Sequence, residues 1–273
     1  MNIQTKSNIP VALTIAGSDS GGGAGIQADL RTFAFHCVHG TSAVTCITAQ
    51  NTLGVMRVDA MPPEAVIAQI QAVVEDIGVQ AAKTGMLLNH EIITAVAQQI
   101  EALEIHNLVV DPVMVSRTGA QLIDDDAVNV LRQQLIPKAA IVTPNRYEAQ
   151  ILSGLQVNSL DDMRAAAQVI HHTCKAKTVL VKGGGMPGNA RGVDIWFDGQ
   201  NLETLTIQQV DTPNTHGTGC TLSAAIAAHL AKGEDLWQSV QQAKKYVTNA
   251  LTHALDIGKG QGPLGHFFPL LSN

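Results

Sequence analysis

The sequence predicts an α/β fold in which a mostly parallel central sheet lies between two layers of helices. Short apolar runs bounded by Gly, Pro or Asn alternate with segments of helical period along most of the 273 residues. Hydrophobic residues make up 45% of the chain and charged residues 15%, which is enough apolar material for a thick core. Strands that alternate with helices of ten or more residues are typical of βαβ units and of a parallel sheet covered on both faces.

The predicted elements follow this alternation from the start of the chain. A buried strand at Val11–Ile15 ends at Gly17, and a helix follows from Ile26 to Cys37. A proline pair opens the next helix, which runs through Ile77, because the fixed φ of proline suits the first helical turn. The other strands of this part are predicted at Thr41–Thr48, Val55–Met61, Val79–Thr84, Asn107–Asp111, Ala139–Thr143 and Thr178–Lys182. The other helices are predicted at Glu91–Leu103, Asp124–Leu135, near Glu148 and at Leu160–Thr173.

The pattern changes after Lys182. Two further strands, Val193–Phe197 and Leu205–Val210, are expected to form a hairpin, and the helices Thr218–Ala231 and Leu236–Leu255 follow it. The sequence has no internal repeat, low-complexity tract or linker that would divide it. We therefore expect a single domain over residues 1–273.

Composition excludes several classes of function. The 17 basic and 23 acidic residues give a net charge of −6, which argues against binding to nucleic acid. No apolar run reaches the roughly 18 residues of a membrane-spanning helix, and the run from Val11 to Gly17 is too short for a signal peptide. The four cysteines have neither CxxC nor zinc spacing, so a disulfide scaffold is not expected. A soluble, cytoplasmic protein is expected.

Small, amide and acidic residues follow the ends of six predicted strands. Ligands of open parallel sheets bind beyond the carboxyl ends of the strands, so these residues predict a site for a small polar molecule and a phosphorylated one. The alternative is that they are only turn residues, which explains each of them singly better than all six together. The segments are Gly17–Asp19, Ala49–Asn51, Thr84–Met86, Asp111–Pro112, Thr143–Asn145 and Lys182–Gly184.

The segment Asn214–Thr221 is the most informative one. It is a glycine-rich turn that leads into a helix, and such a turn presents unpaired backbone N–H groups at the positive end of the helix dipole. Cys220 falls in the first helical turn, where the pKa of a thiol can drop below its free value of about 8.5. A partly ionised Cys220 could take a proton from a hydroxyl while the neighbouring amides hold a phosphoryl group. The alternative is a small cysteine that fills a gap at the start of a helix.

Two acidic positions suit a metal ion that accompanies a triphosphate. Asp111 ends a buried strand and Glu148 begins a helix, and Mg²⁺ needs only one or two carboxylates in addition to water and phosphate oxygens. The alternatives are a strand-end cap for Asp111 and a solvated helix residue for Glu148. The ten histidines have no clustered ligand spacing, so a catalytic zinc is not expected, and His216 and His36 are interpreted as polar lining or surface residues.

Other phosphate motifs are absent or incomplete. The sequence contains neither GxxxxGK[ST] nor the HRD and DFG signatures of protein kinases. Gly183–Gly188 fits GxGxxG, but a dinucleotide motif opens a helix, whereas this one leads into a predicted strand. A dinucleotide-dependent oxidoreductase and a non-catalytic binding protein remain as alternatives from other classes.

Seven segments together resemble the hydroxymethylpyrimidine/phosphomethylpyrimidine kinases, a family of the ribokinase-like superfamily. The resemblance extends from about Val11 to Phe268, and GGAGIQAD and NTHGTGCT are its most specific parts. It implies a ribokinase-like three-layer α/β/α sandwich. The segments are Ile15–Asp19, Gly22–Asp29, Ala49–Thr52, Lys83–Leu87, Asp111–Met114, Thr143–Glu148 and Asn214–Thr221.

The resemblance also implies a reaction. ATP with Mg²⁺ would phosphorylate 4-amino-5-hydroxymethyl-2-methylpyrimidine and then convert its monophosphate to the diphosphate, in thiamine biosynthesis. Cys220 would stand where sugar kinases of the superfamily have an aspartate base, and the amides of Gly217, Thr218, Gly219 and Cys220 would form the anion hole. The family usually forms dimers, so a homodimer is expected. A pyridoxal or pyridoxine kinase of the same superfamily is the close alternative.

Further site residues are implied by the same resemblance. Gln50 would bind the pyrimidine, because an amide offers an adjacent donor and acceptor that match an amino group and a ring nitrogen. The sequence departs from some members of the family at Ser20-Gly21, where they have a Pro-Ser pair. The residues implied to line the pyrimidine pocket with Gln50 are Gly17, Asp29 and Met86. Those implied to handle ATP are Lys182, Lys244 and Asn145, with Asp111 and Glu148 at the metal.

Overall fold

A computed structural model describes residues 9–114, 123–207 and 209–271 of the chain. Its nine strands form one sheet in the order β3-β2-β1-β4-β5-β6-β7-β8-β9. Strands β1, β2, β4, β5, β6 and β7 pair in parallel, while β3, β8 and β9 pair antiparallel at the two sides. The strands are β1 Val11–Asp19, β2 His39–Asn51, β3 Gly54–Ala60, β4 Ala81–Thr84, β5 Leu108–Val110, β6 Ile141–Val142, β7 Val179–Val181, β8 Asp194–Phe197 and β9 Leu202–Leu205.

Eight α-helices in the described part of the chain cover the sheet. Helix α4 continues into a π-helical turn at Leu131–Leu135 and a 3-10 turn at Ile136–Lys138, so the predicted helix Asp124–Leu135 is helical throughout but changes its winding. The α-helices are α1 Gly25–Phe35, α2 Pro63–Asp76, α3 His90–Ala102, α4 Asp125–Val130, α5 Arg146–Ser153, α6 Leu160–Thr173, α7 Thr218–Ala231 and α8 Leu236–Thr252.

The two faces of the sheet bury two separate apolar clusters. Successive strand residues point to opposite faces, so Leu13 and Val142 join the cluster formed with α2–α6, whereas Ala12 and Ile141 join the one formed with α1, α7 and α8. This arrangement is the predicted three-layer α/β/α sandwich. It is also consistent with the expected single domain over residues 1–273, which stays a prediction.

Helix capping differs among the helices. Five of the eight α-helices in the described residues begin at an N-cap side chain that accepts a hydrogen bond from the first turn. Helices α1 and α7 lack such a side chain and begin at glycine-rich turns instead. The five capping residues are Asn89, Asp124, Asn145, Ser159 and Asp235.

One predicted strand is wrong in its bounds. The second strand of the C-terminal hairpin is Leu202–Leu205, where Leu205–Val210 was expected, and Gln208 lies outside the described residues. Asp198 closes the turn early, because its carboxylate accepts hydrogen bonds from the N–H groups of Gln200 and Asn201. The remaining predicted strands and helices are present, with ends that differ by a few residues. None of the helices described has the length and hydrophobicity that a bilayer-spanning segment needs.

Candidate active site

The carboxyl ends of the six parallel strands meet at one edge of the sheet, as the sequence predicts. The edge receives Asp19 from β1, Gln50 from β2, and the residues that follow β4, β5, β6 and β7. Helices α1 and α7 begin at this edge and pack against each other. The candidate site is therefore built by two glycine-rich turns and a row of strand ends.

The turn before α7 has the geometry of an anion site. Gly217 is the N-cap and has a φ of 88°, in the left-handed region that favours glycine. Thr221 N donates to Gly217 O at 2.9 Å, and Thr218 N has only a long contact of 3.3 Å with Thr215 O. Within the described residues, the amides of Gly219 and Cys220 have no hydrogen-bond acceptor. Of the amides predicted to form the anion hole, those of Gly219 and Cys220 are therefore open, and their role in binding an anion stays a prediction.

The turn before α1 packs directly on the turn before α7. A Cβ atom on Gly217 would lie 1.9 Å from the carbonyl oxygen of Gly23, and one on Gly23 would lie 2.2 Å from His216 Cδ2. Neither the Gly23 carbonyl nor the His216 ring could move far enough to relieve such a clash. The two glycines are thus required by the close approach of two backbones, which fixes the position of the anion turn relative to α1.

Cys220 is half-buried in the first turn of α7, but its ionisation differs from the prediction. Burial raises the pKa of the Cys220 thiol to about 11, while the charge of Lys83 and the N–H of Gly25 act in the opposite direction. The expected drop of the pKa below its free value is therefore wrong for the free protein. The helix N-terminus and the nearby ammonium are too weak to offset the loss of solvation, since a thiolate is poorly stabilised without water.

Asp29 lies beneath the site, although the resemblance implied that it lines the pyrimidine pocket. It has no exposed surface, and Lys83 Nζ lies 2.8 Å from its Oδ2 atom, which also accepts a hydrogen bond from Thr14 Oγ1 at 2.6 Å. Burial lowers the pKa of Lys83, but the charges of Asp29, Cys220 and Asp111 and the hydrogen bond with Asp29 together outweigh it, and the net shift of the pKa is upward. The structure therefore places Asp29 as the partner of a buried ammonium group that faces Cys220.

Gln50 belongs to a polar group that the sequence interpretation did not assemble. Its amide nitrogen lies 3.3 Å from His216 Nε2, and His216 Nε2 lies 2.9 Å from Asp19 Oδ2. Asp19 also accepts hydrogen bonds from the N–H groups of Gly23 and Ala24 at the start of α1. Burial raises the pKa of Asp19, but the hydrogen bonds from His216, Ala24 and Gly21 and the charge of His216 together outweigh this effect, and the net shift of the pKa is downward.

Asp19 and His216 could have been assigned from the sequence in part. Both stand inside motifs that carry the family resemblance, and an acidic residue at a strand end is a recognisable signal. The contact between Asp19 and His216 could not have been assigned from the sequence, because the two residues are separated by 197 positions in the chain.

Gly17 and Met86 lie together at the ends of β1 and β4. A Cβ atom on Gly17 would lie 3.0 Å from Met86 Cε and 2.6 Å from Cys46 Sγ. The β1–β2 register shifts between Ala16 and Ser18, which bends the strand at this point. The structure therefore brings Gly17 and Met86 into contact, beside a buried cysteine.

Lys182, Asp111 and Glu148 form a charged cluster next to the anion turn. Lys182 Nζ donates to Asp111 Oδ1 at 2.7 Å, and a Cβ atom on Gly219 would lie 3.2 Å from the same Nζ atom. Burial raises the pKa of Glu148 to about 8, with a further increase from the charge of Asp111 and a decrease from that of Lys182. The cluster thus places one ammonium and two carboxyl groups beside the first turn of α7.

The carboxyl groups of this cluster were predicted to hold a metal ion that accompanies a triphosphate. Within the described residues no group of three or more His, Cys, Asp or Glu side chains is placed to hold a metal ion. Asp111 Oδ2 has only a long contact of 3.3 Å with Ser223 Oγ, so one of its oxygens stays available. Hard oxygen donors of this number fit Mg²⁺ that also binds phosphate and water.

The side chains of Asn145 and Lys244 are both engaged in structural contacts. Asn145 Oδ1 accepts hydrogen bonds from the N–H groups of Tyr147 and Glu148, and Glu148 Oε2 accepts one from the Asn145 N–H, which completes a capping box. Lys244 Nζ donates to Gly192 O at 2.8 Å and pairs with Asp194. Lys244 therefore anchors the loop that follows β7.

The GxGxxG segment has no helix after it, as predicted. Gly188–Ala190 forms a 3-10 turn that leads into β8, and a Cβ atom on Gly183 would lie 1.8 Å from Val193 O. Gly184 and Gly185 have open space around them. The segment lacks the helix that a dinucleotide-binding fold needs, and it forms a loop at the same edge as the anion turn.

Comparison with known proteins agrees with this geometry. A family model described as phosphomethylpyrimidine kinase matches residues 19–265, which include both glycine-rich turns. The chain belongs to the phosphomethylpyrimidine kinase family.

Individual relatives are similar over nearly their whole length. A hydroxymethylpyrimidine/phosphomethylpyrimidine kinase from Synechococcus elongatus is 59% identical over 262 residues, which cover 96% of this chain and 99% of the relative. Among solved structures, a Bacillus subtilis pyridoxal kinase in complex with ADP has a TM-score of 0.90 and 40% identity, covering 97% of this chain and 100% of its own. A Clostridium difficile phosphomethylpyrimidine kinase has a TM-score of 0.79 and 40% identity, covering 89% of this chain and 99% of its own.

Proposed function

We propose that this protein uses ATP to phosphorylate 4-amino-5-hydroxymethyl-2-methylpyrimidine and then its monophosphate, in thiamine biosynthesis. Membership of the phosphomethylpyrimidine kinase family supports this reaction. The observation on which the proposal rests is the open N-terminus of α7, where the amides of Gly219 and Cys220 lie beside a half-buried thiol. The open amides could hold the phosphoryl group while it is transferred to an alcohol, and the adjacent thiol could exchange a proton with that alcohol.

Electrostatic positioning supplies most of the catalysis in this proposal. The alcohol oxygen forms a bond to the γ-phosphorus of ATP as the bond from that phosphorus to the β-phosphate oxygen breaks, which leaves ADP. The α7 amides and Lys182 hold the charge on the phosphoryl group, and Lys182 is fixed by Asp111. In a loose transition state the alcohol loses its proton late, as the new P–O bond forms. Cys220 would accept that proton as the thiolate, which its raised pKa makes the minor form of the free protein at neutral pH, and the transfer would leave the neutral thiol.

We propose Mg²⁺ as the companion of ATP. Asp111 and Glu148 would hold the ion, with Asn145 fixing Glu148 through the capping box. The ion would neutralise part of the phosphate charge when it is bound. Lys244 would act on ATP indirectly, through the loop that it anchors at Gly192. Gln50, Gly17 and Met86 would contact the pyrimidine, and Asp29 would support Lys83 beneath it.

Pyridoxal phosphorylation is the second candidate, favoured by the likeness to the Bacillus subtilis pyridoxal kinase structure. Purified protein should be incubated with ATP, Mg²⁺ and each of three acceptors: the pyrimidine alcohol, its monophosphate and pyridoxal. We expect ADP release with both pyrimidines and the largest kcat/KM for a pyrimidine. A larger kcat/KM for pyridoxal would reverse the assignment, and absence of ADP release with all three would exclude both kinase activities.

We propose that two copies associate through the ribbon of β2 and β3. Every residue of β3 is exposed, and four apolar side chains of the ribbon and its turn lie on the surface: Leu53, Val55, Met56 and Val58. Such an apolar edge is a liability in a monomer and suits a second copy. Light scattering should give twice the chain mass, and Met56→Lys with Val58→Lys should give a monomer. A monomeric unaltered protein would refute the dimer.

We also propose the cytoplasm as the location. The thiols of Cys37, Cys46, Cys174 and Cys220 are all free, which fits a reducing compartment. Fractionation of the cells that produce the protein checks this, since recovery in an oxidising compartment would contradict it.

A further inference from the structure

The side-chain amide of Gln50 has two neighbours, and both contacts place like groups face to face. Its nitrogen lies 3.3 Å from His216 Nε2, and its oxygen lies 3.3 Å from Thr48 Oγ1. Thr48 has one hydroxyl hydrogen, and this hydrogen is donated to Ser18 O at 2.8 Å. The Thr48 oxygen therefore meets the Gln50 oxygen as a second acceptor.

In the contact between Gln50 and His216, two hydrogen-bond donors face each other. His216 Nε2 lies 2.9 Å from Asp19 Oδ2. Asp19 is ionised at neutral pH, because the hydrogen bonds that it accepts lower its pKa. A carboxylate only accepts, so His216 Nε2 must have a hydrogen, whatever the state of its other nitrogen. The Gln50 nitrogen then faces a donor with donors of its own.

Rotation of the Gln50 amide by about 180° resolves both conflicts at once. The rotation exchanges oxygen and nitrogen and leaves their positions nearly unchanged. The oxygen then shares the His216 Nε2–H with Asp19 Oδ2, as the longer acceptor of a bifurcated hydrogen bond, and the nitrogen donates to the free lone pair of Thr48. One N–H and one oxygen lone pair of Gln50 remain for a ligand, because the amide has two donors and two acceptor sites.

We propose that His216 is a specificity-determining positioning residue, held by Asp19, that fixes the Gln50 amide with its oxygen toward the anion turn. The inference rests on the proposed function, whose substrate supplies the groups to be recognised. His216 immediately precedes Gly217, so the oxygen end of the amide is the end nearer the phosphoryl site. Thr48, on β2, marks the nitrogen end.

This orientation matches the order of groups on the pyrimidine. Along the ring edge the reacting hydroxymethyl group comes first, then the 4-amino donor, then the ring nitrogen acceptor. Along the protein the anion turn comes first, then the Gln50 oxygen, then the Gln50 nitrogen. The unrotated amide would instead meet the amino group with a donor. Pyridoxal has a formyl group, which is an acceptor, beside its hydroxymethyl group, so the fixed amide selects against it.

Binding measurements on two ligands test the inference. The ligands are 4-amino-5-hydroxymethyl-2-methylpyrimidine and the analogue that lacks the 4-amino group, each titrated by calorimetry. We expect His216→Leu to raise the Kd of the amino compound by about 10–100-fold, the range for an unpaired polar group, and that of the analogue by less than about threefold. His216→Gln keeps a donor for both Asp19 and Gln50, so it should restore the Kd of the amino compound to within about threefold.

His36→Leu is the matched control, because His36 is as buried as His216 but lies beyond the far end of α1. It should change neither Kd. Equal losses for both ligands in His216→Leu, or no rescue by His216→Gln, would overturn the inference, as would failure of the unaltered protein to bind the amino compound. Tight binding without ADP release would sink the proposed kinase activity and leave this inference standing, since its readout is binding.

Discussion

Helices α5 and α7 both begin at the carboxyl edge of the sheet, and their first turns are built in opposite ways. The N-cap of α5 is Asn145, and its third residue, Glu148, completes a capping box, so the side chains of α5 satisfy its own first N–H groups. The N-cap of α7 is Gly217, and its third residue, Cys220, leaves the amides of the first turn open. The sequence interpretation had assigned both turns to phosphate handling.

The difference shows how a helix end becomes available to a ligand. Unpaired N–H groups at a helix start cost free energy, so a start that is left open is completed by water or by a ligand. Capping by Asn145 makes α5 self-sufficient, and its role is to hold Glu148 beside Lys182 and Asp111. The open end of α7 is the one able to hold a phosphoryl group.

The largest expected effect on kcat is at the open N-terminus of α7. Cys220→Ala should lower kcat by about 10²–10⁴-fold, the range for a lost general base, with the fold and pyrimidine affinity retained. Cys220→Glu copies the third residue of α5 and should reduce activity below that of Cys220→Ala, because a carboxylate beside the open amides repels phosphate. Steady-state kinetics measure both, and parental turnover by Cys220→Ala would make the cysteine structural.

Gly217→Ala should lower kcat by about 10²–10³-fold, as expected when anion-hole donors are displaced. The added Cβ would lie 1.9 Å from Gly23 O, so the whole turn must shift. Gly184→Ala is the matched control, because nothing lies within 4 Å of its Cβ position. Equal kinetics for the two variants would show that the turn tolerates displacement and is not the phosphoryl site.

Asn145→Ala should lower the free energy of unfolding by about 1 kcal/mol, the usual cost of a lost N-cap, with kcat reduced less than tenfold. Asp235→Ala removes the N-cap of α8 and should cost a similar amount of stability with no change in kcat. Urea denaturation and kinetics measure both quantities. A loss of kcat as large as that of Gly217→Ala would mean that the capped end also holds phosphate directly.

The last prediction concerns the pH dependence of stability. Burial raises the pKa of Glu148 from 4.5 to about 8 in the folded protein, so between these values the folded protein holds a proton that the unfolded chain has released. The stabilisation from this group is complete below about pH 4.5 and is lost as the pH rises through about 8. Glu148→Gln should therefore make the Tm fall less between pH 5 and pH 8. An unchanged pH slope would contradict the shifted pKa.

The fold was accessible from the sequence because its signals are local. Apolar runs bounded by turn residues located the parallel strands, and proline at the start of α2 located a helix. The last strand was misplaced because the turn chemistry of Asp198 outweighed the apolar pattern of Leu205–Val210. The π-helical turn at Leu131–Leu135 has no sequence signal of this kind.

The site was accessible only in part, because its assembly is non-local. The glycine turn at Gly217 and the strand ends could be located from spacing and motif. The burial of Asp29 under Lys83, and the high pKa that burial gives Cys220, depend on layers of protein that no local pattern encodes. The contact of His216 with Asp19 joins two distant segments and was missed for the same reason.

The contact between Gly23 and Gly217 has an evolutionary consequence. A Cβ atom on Gly217 would lie less than 2 Å from the Gly23 carbonyl oxygen, so neither position can change alone and the two glycine-rich turns are constrained together. The amide of Gln50, by contrast, is held by exchangeable side chains at Thr48 and His216. Under the proposed function, acceptance of a different ring would therefore require changes around Gln50, while the two glycine-rich turns stay unchanged.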